Sequence, residues 1–378
     1  MKKYKEGILP IGFKASGVSC GIKKSGKPDL ALFFSEEPAL ASCVFTTNNV
    51  QASPVVLSKL YLKNNKSFQA IIANSGNANC FNGKSGLKDA LETSRVVANV
   101  LGLNKEDVLM ASTGIIGKKL PVLKIKLGIP GLVKKLSRKG LDEAGQAIMT
   151  TDTFAKKFTV KFNIASKVVT VCGVAKGAGM IAPSMATLLS FIFTDAFITR
   201  RALAKALKIA VAKSFNSITV DGCMSTNDSV MLLANGKASN ALINGGRNLD
   251  LFIKALSSVC LELAKMIVQD AEGASKFIQI RVTGARNPKA ARLVALNIAN
   301  SNLFKTAVYG QNPNFGRIVS AAGASRTGVK EEDLKIKASS LKKRDIAVSV
   351  FLNQGQASAV VYTSDLTPEY IKINAEYN

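Results

Sequence analysis

The chain has 378 residues, 47 % of them hydrophobic and only 10 of them proline, which is enough to bury a sizeable core in two domains or one large one. Histidine is absent altogether, which excludes Ser-His-Asp and Cys-His catalysis and every His-ligated metal site. A net charge of +26 admits a nucleic-acid partner, but the lysines are scattered in ones and twos, with no zinc-finger spacing and no RNP-like aromatic run.

No apolar run approaches the ~20 residues of a membrane helix, and the start MKKYKEGILPIGF lacks the apolar region of a signal peptide. The cysteines (Cys20, Cys43, Cys80, Cys172, Cys223, Cys260) form no C-x-x-C pair. That pattern predicts reduced, mostly buried thiols in a cytoplasmic protein. Catalysis here must use amines, carboxylates, hydroxyls and backbone dipoles.

In chain order, residues 8–36 read as short strands with glycine turns, SGKPD (25–29) being a clear one, and 41–59 continue in that style. Residues 68–80 read as an apolar strand that empties into an Asn/Gly/Ser loop. A helix is predicted over about 86–101, with Gly102 placed to end it. Val108 to Ala111 form a strand, and Ser112, Thr113 and Gly114 its exit loop. Two consecutive N–H groups at a Thr-Gly turn can form an anion nest able to hold a developing oxyanion; taken alone, the same residues are a turn.

A helix over 141–149 runs into TTDT (150–153). Two strands of near-perfect alternation follow, 156–164 and 167–175, with Phe158, Val160, Phe162 and Ile164 on one face. They deliver the chain to KGAGMIAPSMATLLSFIFTDA (176–196). Gly177, Gly179 and Pro183 constrain this loop before Ala186 and Thr187, and the run LLSFIF then reads as a strand. If the Thr187 hydroxyl attacks the Ala186 carbonyl, an acyl shift and ester hydrolysis leave Thr187 as a new N-terminus. Its α-amine, with an ordinary pKa of ~7.7–8.0, can serve as base for its own hydroxyl. A buried threonine opening a strand accounts for the same residues without chemistry.

Beyond it, Thr199 is a candidate N-cap for a helix with Leu203, Leu207, Ala210 and Val211 inward. DGCMSTND (221–228) is a polar loop before a short strand. A long helix spans about 249–269, then DAEGASK (270–276), a strand over 277–283, a helix from about 288, and an Asn/Gly/Pro-rich stretch over 305–323. Mixed strands and helices throughout predict an α/β fold of α+β layers.

The motifs GFKASGVSCGIK, VFTTN, NSGNAN, STGIIG, TTDT, KGAGMIAPSMAT, DGCMSTND, DAEGASK, YGQNPNFGRI and NAEY closely resemble, in order, those of the ornithine acetyltransferase (glutamate N-acetyltransferase) family of arginine biosynthesis. The resemblance implies the DmpA/ArgJ-like fold of self-cleaving N-terminal-threonine enzymes. It implies a precursor cut between Ala186 and Thr187 into an α chain (1–186) and a β chain (187–378), assembled as an α2β2 heterotetramer. The implied reaction moves an acetyl group from N2-acetylornithine to glutamate, with no cofactor; some members also take acetyl-CoA. By position, Thr187 matches the nucleophile, and Thr113 and Gly114 the oxyanion hole. Thr151 and Thr153 of TTDT, Lys176, Glu272 and Asn374 match substrate-binding positions. Two departures stand out: the family tail continues past NAEY to a Ser or Thr, where this sequence stops at Asn378, and Phe315 stands where Trp is usual. The rival readings are an N-terminal-nucleophile amidohydrolase or aminopeptidase, which gives the acyl group to water, and a basic nucleic-acid-binding protein.

Overall fold

A computed structural model describes residues 1–182 and 188–376. They fall into two compact units, the first made of Met1–Gly177, Thr187–Ser214 and Met224–Leu263, the second of the remaining segments.

The first unit contains β1 (Lys2–Tyr4), β2 (Phe13–Val18), β3 (Leu30–Phe45), α1 (Ser53–Asn64), β4 (Phe68–Asn77), α2 (Gly83–Leu101) and β5 (Val108–Ile115). It continues with α3 (Val122–Lys134), α4 (Leu141–Ala147), β6 (Lys156–Ile164), β7 (Lys167–Lys176), β8 (Leu189–Thr194), α5 (Arg200–Ala212), β9 (Ser229–Ala234) and most of α6 (Gly246–Gln269). Its strands run in the order β1-β6-β7-β8-β9-β3-β4-β5, with β2 also paired to β3. β3 serves two neighbours in turn: Leu30–Phe34 pairs with β4, and Leu40–Phe45 with β9. The register slips between Phe34 and Ala39, around Pro38, which has no N–H to give a ladder.

The strands on either side of that slip pack face to face. The Phe33 ring lies 4.9 Å from Phe191 and 5.3 Å from Phe193, and Phe13 lies 5.2 Å from Phe193. β8 and β9 are therefore buried along their whole length, which is why LLSFIF is apolar at every position but Ser190 rather than alternating. On the far side of β7, Gly173 leaves room for α6: a Cβ there would lie 2.7 Å from Leu263 and 2.9 Å from Val259.

Several expectations hold. Gly102 caps α2 in the left-handed region at φ 69°, and the Thr199 hydroxyl accepts the Ala202 N–H at the start of α5. Three do not. Residues 53–59 lie in α1 rather than a strand, because Pro54 sits in the first helical turn, where its missing N–H costs nothing. The polar exit loop at 112–114 is instead the end of β5, since Ser112 and Thr113 pair with Asn74 and Ser75 of the equally polar end of β4. α3 was not anticipated: its lysines, Gly128 and Pro130 obscure the inward series Ile125, Ile129 and Leu132.

The second unit holds the end of α6, β10 (Phe277–Ala285), α7 (Pro288–Ala299), α8 (Asn302–Tyr309), α9 (Gly316–Gly323), β11 (Lys335–Ala338), β12 (Asp345–Phe351), β13 (Ala357–Ser364) and α10 (Pro368–Glu376). Its sheet runs β11-β12-β10-β13, with β10 and β12 parallel. Ile278, Ile280, Val348 and Val350 pack with Val294 and Ile298 of α7 into a core of their own. The Asn/Gly/Pro-rich stretch of 305–323 carries α8 and α9 on either side of NPNF. No helix among the described residues is long and apolar enough to cross a membrane.

Candidate active site

In the first unit, polar side chains gather where β4, β5 and β7 end. The Asn227 amide donates to the carbonyls of Ala78 and Ser112, at 2.7 and 2.8 Å, and the Ser112 hydroxyl donates to Asn74 at 2.6 Å. These bonds fix the end of β5. At Gly114, φ is +128°, and a Cβ would overlap the Gly76 carbonyl carbon and lie 2.6 Å from Asn77 N. Only glycine permits that approach of two backbones.

Thr113 is buried beside it, and its Oγ1 accepts from Lys176 Nζ at 3.3 Å. Lys176, the last residue of β7, also donates to Thr150 Oγ1 at 2.7 Å and stands 3.9 Å from Asp152 Oδ2. Asp152 is the hub of this group. Its Oδ1 accepts from Lys156 Nζ (2.7 Å) and the Gly177 N–H (2.6 Å), and its Oδ2 accepts from the Thr150 N–H (3.0 Å). Burial pushes the Asp152 carboxyl up, but Lys176, Lys156 and the hydrogen bonds outweigh it and hold the group below the usual carboxylate range.

Thr150, Asp152 and the exposed Thr153 line a cavity of about 680 Å³, together with Lys23, Lys27 and Gln146. Thr151 is half-buried between them. Burial, aided by repulsion from Lys176, lowers the Lys23 ammonium to about 8 against the pull of Asp29. Its loop is tied down by Asp29, whose carboxylate accepts the N–H groups of Cys20, Ile22 and Lys23.

Ala186 and Thr187 lie outside the described residues. The amide that follows them is held: the Leu188 N–H donates to Asp228 Oδ1 at 3.0 Å. Asp228 is fully buried, its Oδ2 has no hydrogen-bond partner among the described residues, and burial raises its pKa well above the usual carboxylate value.

In the second unit, Glu272 and Asn374 are brought together. The Asn374 amide donates to Glu272 Oε2 at 2.8 Å, and the Glu272 N–H donates to the Ala178 carbonyl at 3.1 Å. A Cβ at Gly179 would overlap the Glu272 carboxylate, so this glycine lets the carboxylate lie against the backbone.

The ArgJ family's sequence model matches residues 14–378. A relative from Caldanaerobacter subterraneus, named arginine biosynthesis bifunctional protein ArgJ, is 45 % identical over 98 % of this chain and 97 % of its own. One of the same name from Geobacter sulfurreducens is 42 % identical over 97 % of this chain and 98 % of its own. The chain belongs to the ArgJ family. Among solved structures, ornithine acetyltransferase from Mycobacterium tuberculosis complexed with ornithine is 39 % identical, with a TM-score of 0.46, over 48 % of this chain and 98 % of that one.

In this ArgJ-family enzyme the structure adds three residues to those expected from sequence. Lys176 donates to the hydroxyl of Thr150, the first residue of TTDT, and Asp152 and Lys156 supply charges around it. Lys156 was legible: it stands on the same strand face as Phe158, Val160, Phe162 and Ile164, and a lysine on a buried face needs an acidic partner. Thr150 carried no such signal, since TTDT offers three equivalent hydroxyls. No group of His, Cys, Asp and Glu among the described residues could hold a metal ion.

Proposed function

We propose that this chain moves an acetyl group from N2-acetylornithine to L-glutamate, carrying it on Thr187 after cutting its own backbone between Ala186 and Thr187. The observation that carries the reading is the likeness, over nearly the whole chain, to relatives named for arginine biosynthesis.

In the cut, the Thr187 hydroxyl adds to the Ala186 carbonyl, the acyl group moves from nitrogen to oxygen, and water hydrolyses the ester. Ala186 becomes a carboxylate and Thr187 a free amine. In turnover, that amine accepts the hydroxyl proton while Oγ1 attacks the acetyl carbonyl. The C–N bond to ornithine breaks, and ornithine leaves with the proton. The glutamate amine then attacks the acetyl ester and restores the hydroxyl.

Thr113 and Gly114 are assigned to the oxyanion. Because Lys176 Nζ donates to Thr113 Oγ1, the Thr113 hydroxyl proton is directed away from the lysine and is free to stabilise developing negative charge. Lys176, Thr151 and Thr153 are assigned to the substrate carboxylate and its surroundings, and Glu272 and Asn374 to an ammonium group. Acetyl-CoA would load the same hydroxyl as a second donor, and no prosthetic group enters the scheme. The two products remain joined in the cytoplasm as an α2β2 assembly. Support for their cohesion lies in the first unit, where β7 pairs with β8 and β3 with β9 across the cut position.

The test is Thr187→Ala, with incubation in acetylornithine with and without glutamate. The wild type should release at most one ornithine per site without glutamate and turn over only when glutamate is present, with ping-pong kinetics. The variant should stay one intact chain and transfer nothing. Release into water at the same rate without glutamate would identify an amidohydrolase instead, and a variant that still transfers acetyl would remove Thr187 from the mechanism.

A further inference from the structure

Four donors converge on one carboxylate beside the segment in which the cut is proposed. Asp221 Oδ2 accepts the Met180 N–H at 2.7 Å and the Tyr370 hydroxyl at 3.2 Å. Its Oδ1 accepts the N–H groups of Ile181 at 2.9 Å and Cys223 at 3.0 Å. An ionised carboxylate offers about four lone-pair sites and no donor, so this set saturates it, and an amide in its place would turn N–H groups towards other donors.

What the carboxylate holds is unusual backbone. Met180 has φ +56°, a left-handed conformation that a residue with an unbranched apolar side chain rarely adopts. Ile181 is gripped from its carbonyl as well, which accepts from the Val220 N–H (2.9 Å), the Gly222 N–H (3.3 Å) and the Thr219 hydroxyl (3.1 Å). The ammonium of Lys305, buried on α8, donates to the Val220 carbonyl and closes the other side of that loop. Burial and the neighbouring Asp221 charge raise the Tyr370 pKa, so its hydroxyl remains a donor. None of these side chains is among those assigned above to substrate or oxyanion; Asp221 and Thr219 grip Met180 and Ile181, ahead of Ala186 in the chain, and Tyr370 and Lys305 brace that grip.

We propose that Asp221, supported by Tyr370, is a positioning residue for precursor self-cleavage. Resting on the cut assigned above, the inference gives the first residues of DGCMSTND a role in maturation rather than in turnover. Attack of a hydroxyl on the peptide bond before it depends on how closely the two are held, and a loose entry into the loop lowers their effective concentration. Met180 and Ile181, locked by Asp221, supply a rigid entry.

The experiment follows the full chain from synthesis by intact mass, for the wild type, Asp221→Asn and Tyr370→Phe, and measures kcat per cleaved chain with acetylornithine and glutamate. Asp221→Asn should cleave about tenfold or more slowly and Tyr370→Phe about threefold more slowly, while kcat per cleaved chain stays within about twofold. Cleavage of Asp221→Asn at the wild-type rate overturns the proposal, as does a kcat per cleaved chain that falls as far as the cleavage rate. If Asp221→Asn does not accumulate as folded protein, Tyr370→Phe decides alone, and an unchanged rate overturns it. A wild-type chain that never cleaves sinks the self-cleavage itself, a separate failure visible without any variant.

Discussion

At the scale of single residues, the polar interior of the first unit depends on Asp152. It neutralises Lys156, whose side chain is fully buried, and stands within ion-pair reach of Lys176. Asp152→Asn keeps the shape but removes a counter-charge from the buried Lys156 ammonium, and removing one partner of a buried pair costs about 3–5 kcal/mol. Urea unfolding should show that loss. The sign of the pH effect follows from the depressed carboxyl. Its stabilisation is fully present above the unfolded value near pH ~4 and drains away as pH falls through the lower folded value. The wild type should therefore lose stability steeply in acid, and Asp152→Asn should show a shallower slope over the same range; parallel slopes would mean that Asp152 is not the group responsible.

At the scale of elements, two glycines allow close packing for different reasons, and substitution should separate them. At Gly114 the obstacle to a side chain is the backbone of Gly76 and Asn77, and φ is +128°; neither can yield. Gly114→Ala should cost about 1–3 kcal/mol or more, and it should lower kcat as well, since it moves the N–H assigned to the oxyanion. At Gly173 the obstacles are side-chain methyl groups of Leu263 and Val259, which can rotate. Gly173→Ala should therefore cost less than Gly114→Ala and spare kcat. Denaturation midpoints and turnover on the two variants give the comparison, and the reverse order would contradict this account of β5. The sequence showed Gly114 as a turn residue because polar residues at a strand end look like a loop. Its close approach to Gly76, far away in the chain, is a property of the β4–β5 pairing alone.

At the scale of the whole molecule, strands from both sides of position 186 share one sheet. β8 and β9 follow the proposed cut, yet they hydrogen-bond to β7 and β3, which precede it. Their faces are closed by Phe33, Phe191 and Phe193, and each such aromatic truncated to Ala costs about 3–5 kcal/mol. The cleaved products should consequently co-purify as one native species and part only on denaturation. Size-exclusion chromatography paired with denaturing mass analysis tests this; products that separate under native conditions would show that the shared sheet does not hold them.

The sequence by itself determined the elements whose period and punctuation are local. The β6–β7 hairpin, the cap at Thr199, the stop at Gly102 and the buried run of β8 follow from side-chain alternation, hydroxyl capping, glycine's left-handed angle and a largely apolar run without alternation. It also determined the chemistry still open to a chain without histidine, and the ordered motifs that mark the family. Tertiary structure alone decided that Thr150 and Thr113 share the ammonium of Lys176, that Asp152 lies between two lysines, and that Asp221 collects donors from Met180, Ile181, Cys223 and Tyr370. The reason is physical. A local pattern encodes which way a side chain points, whereas a hydrogen bond between residues far apart in sequence depends on strand register and loop closure, which the packing of the whole chain sets.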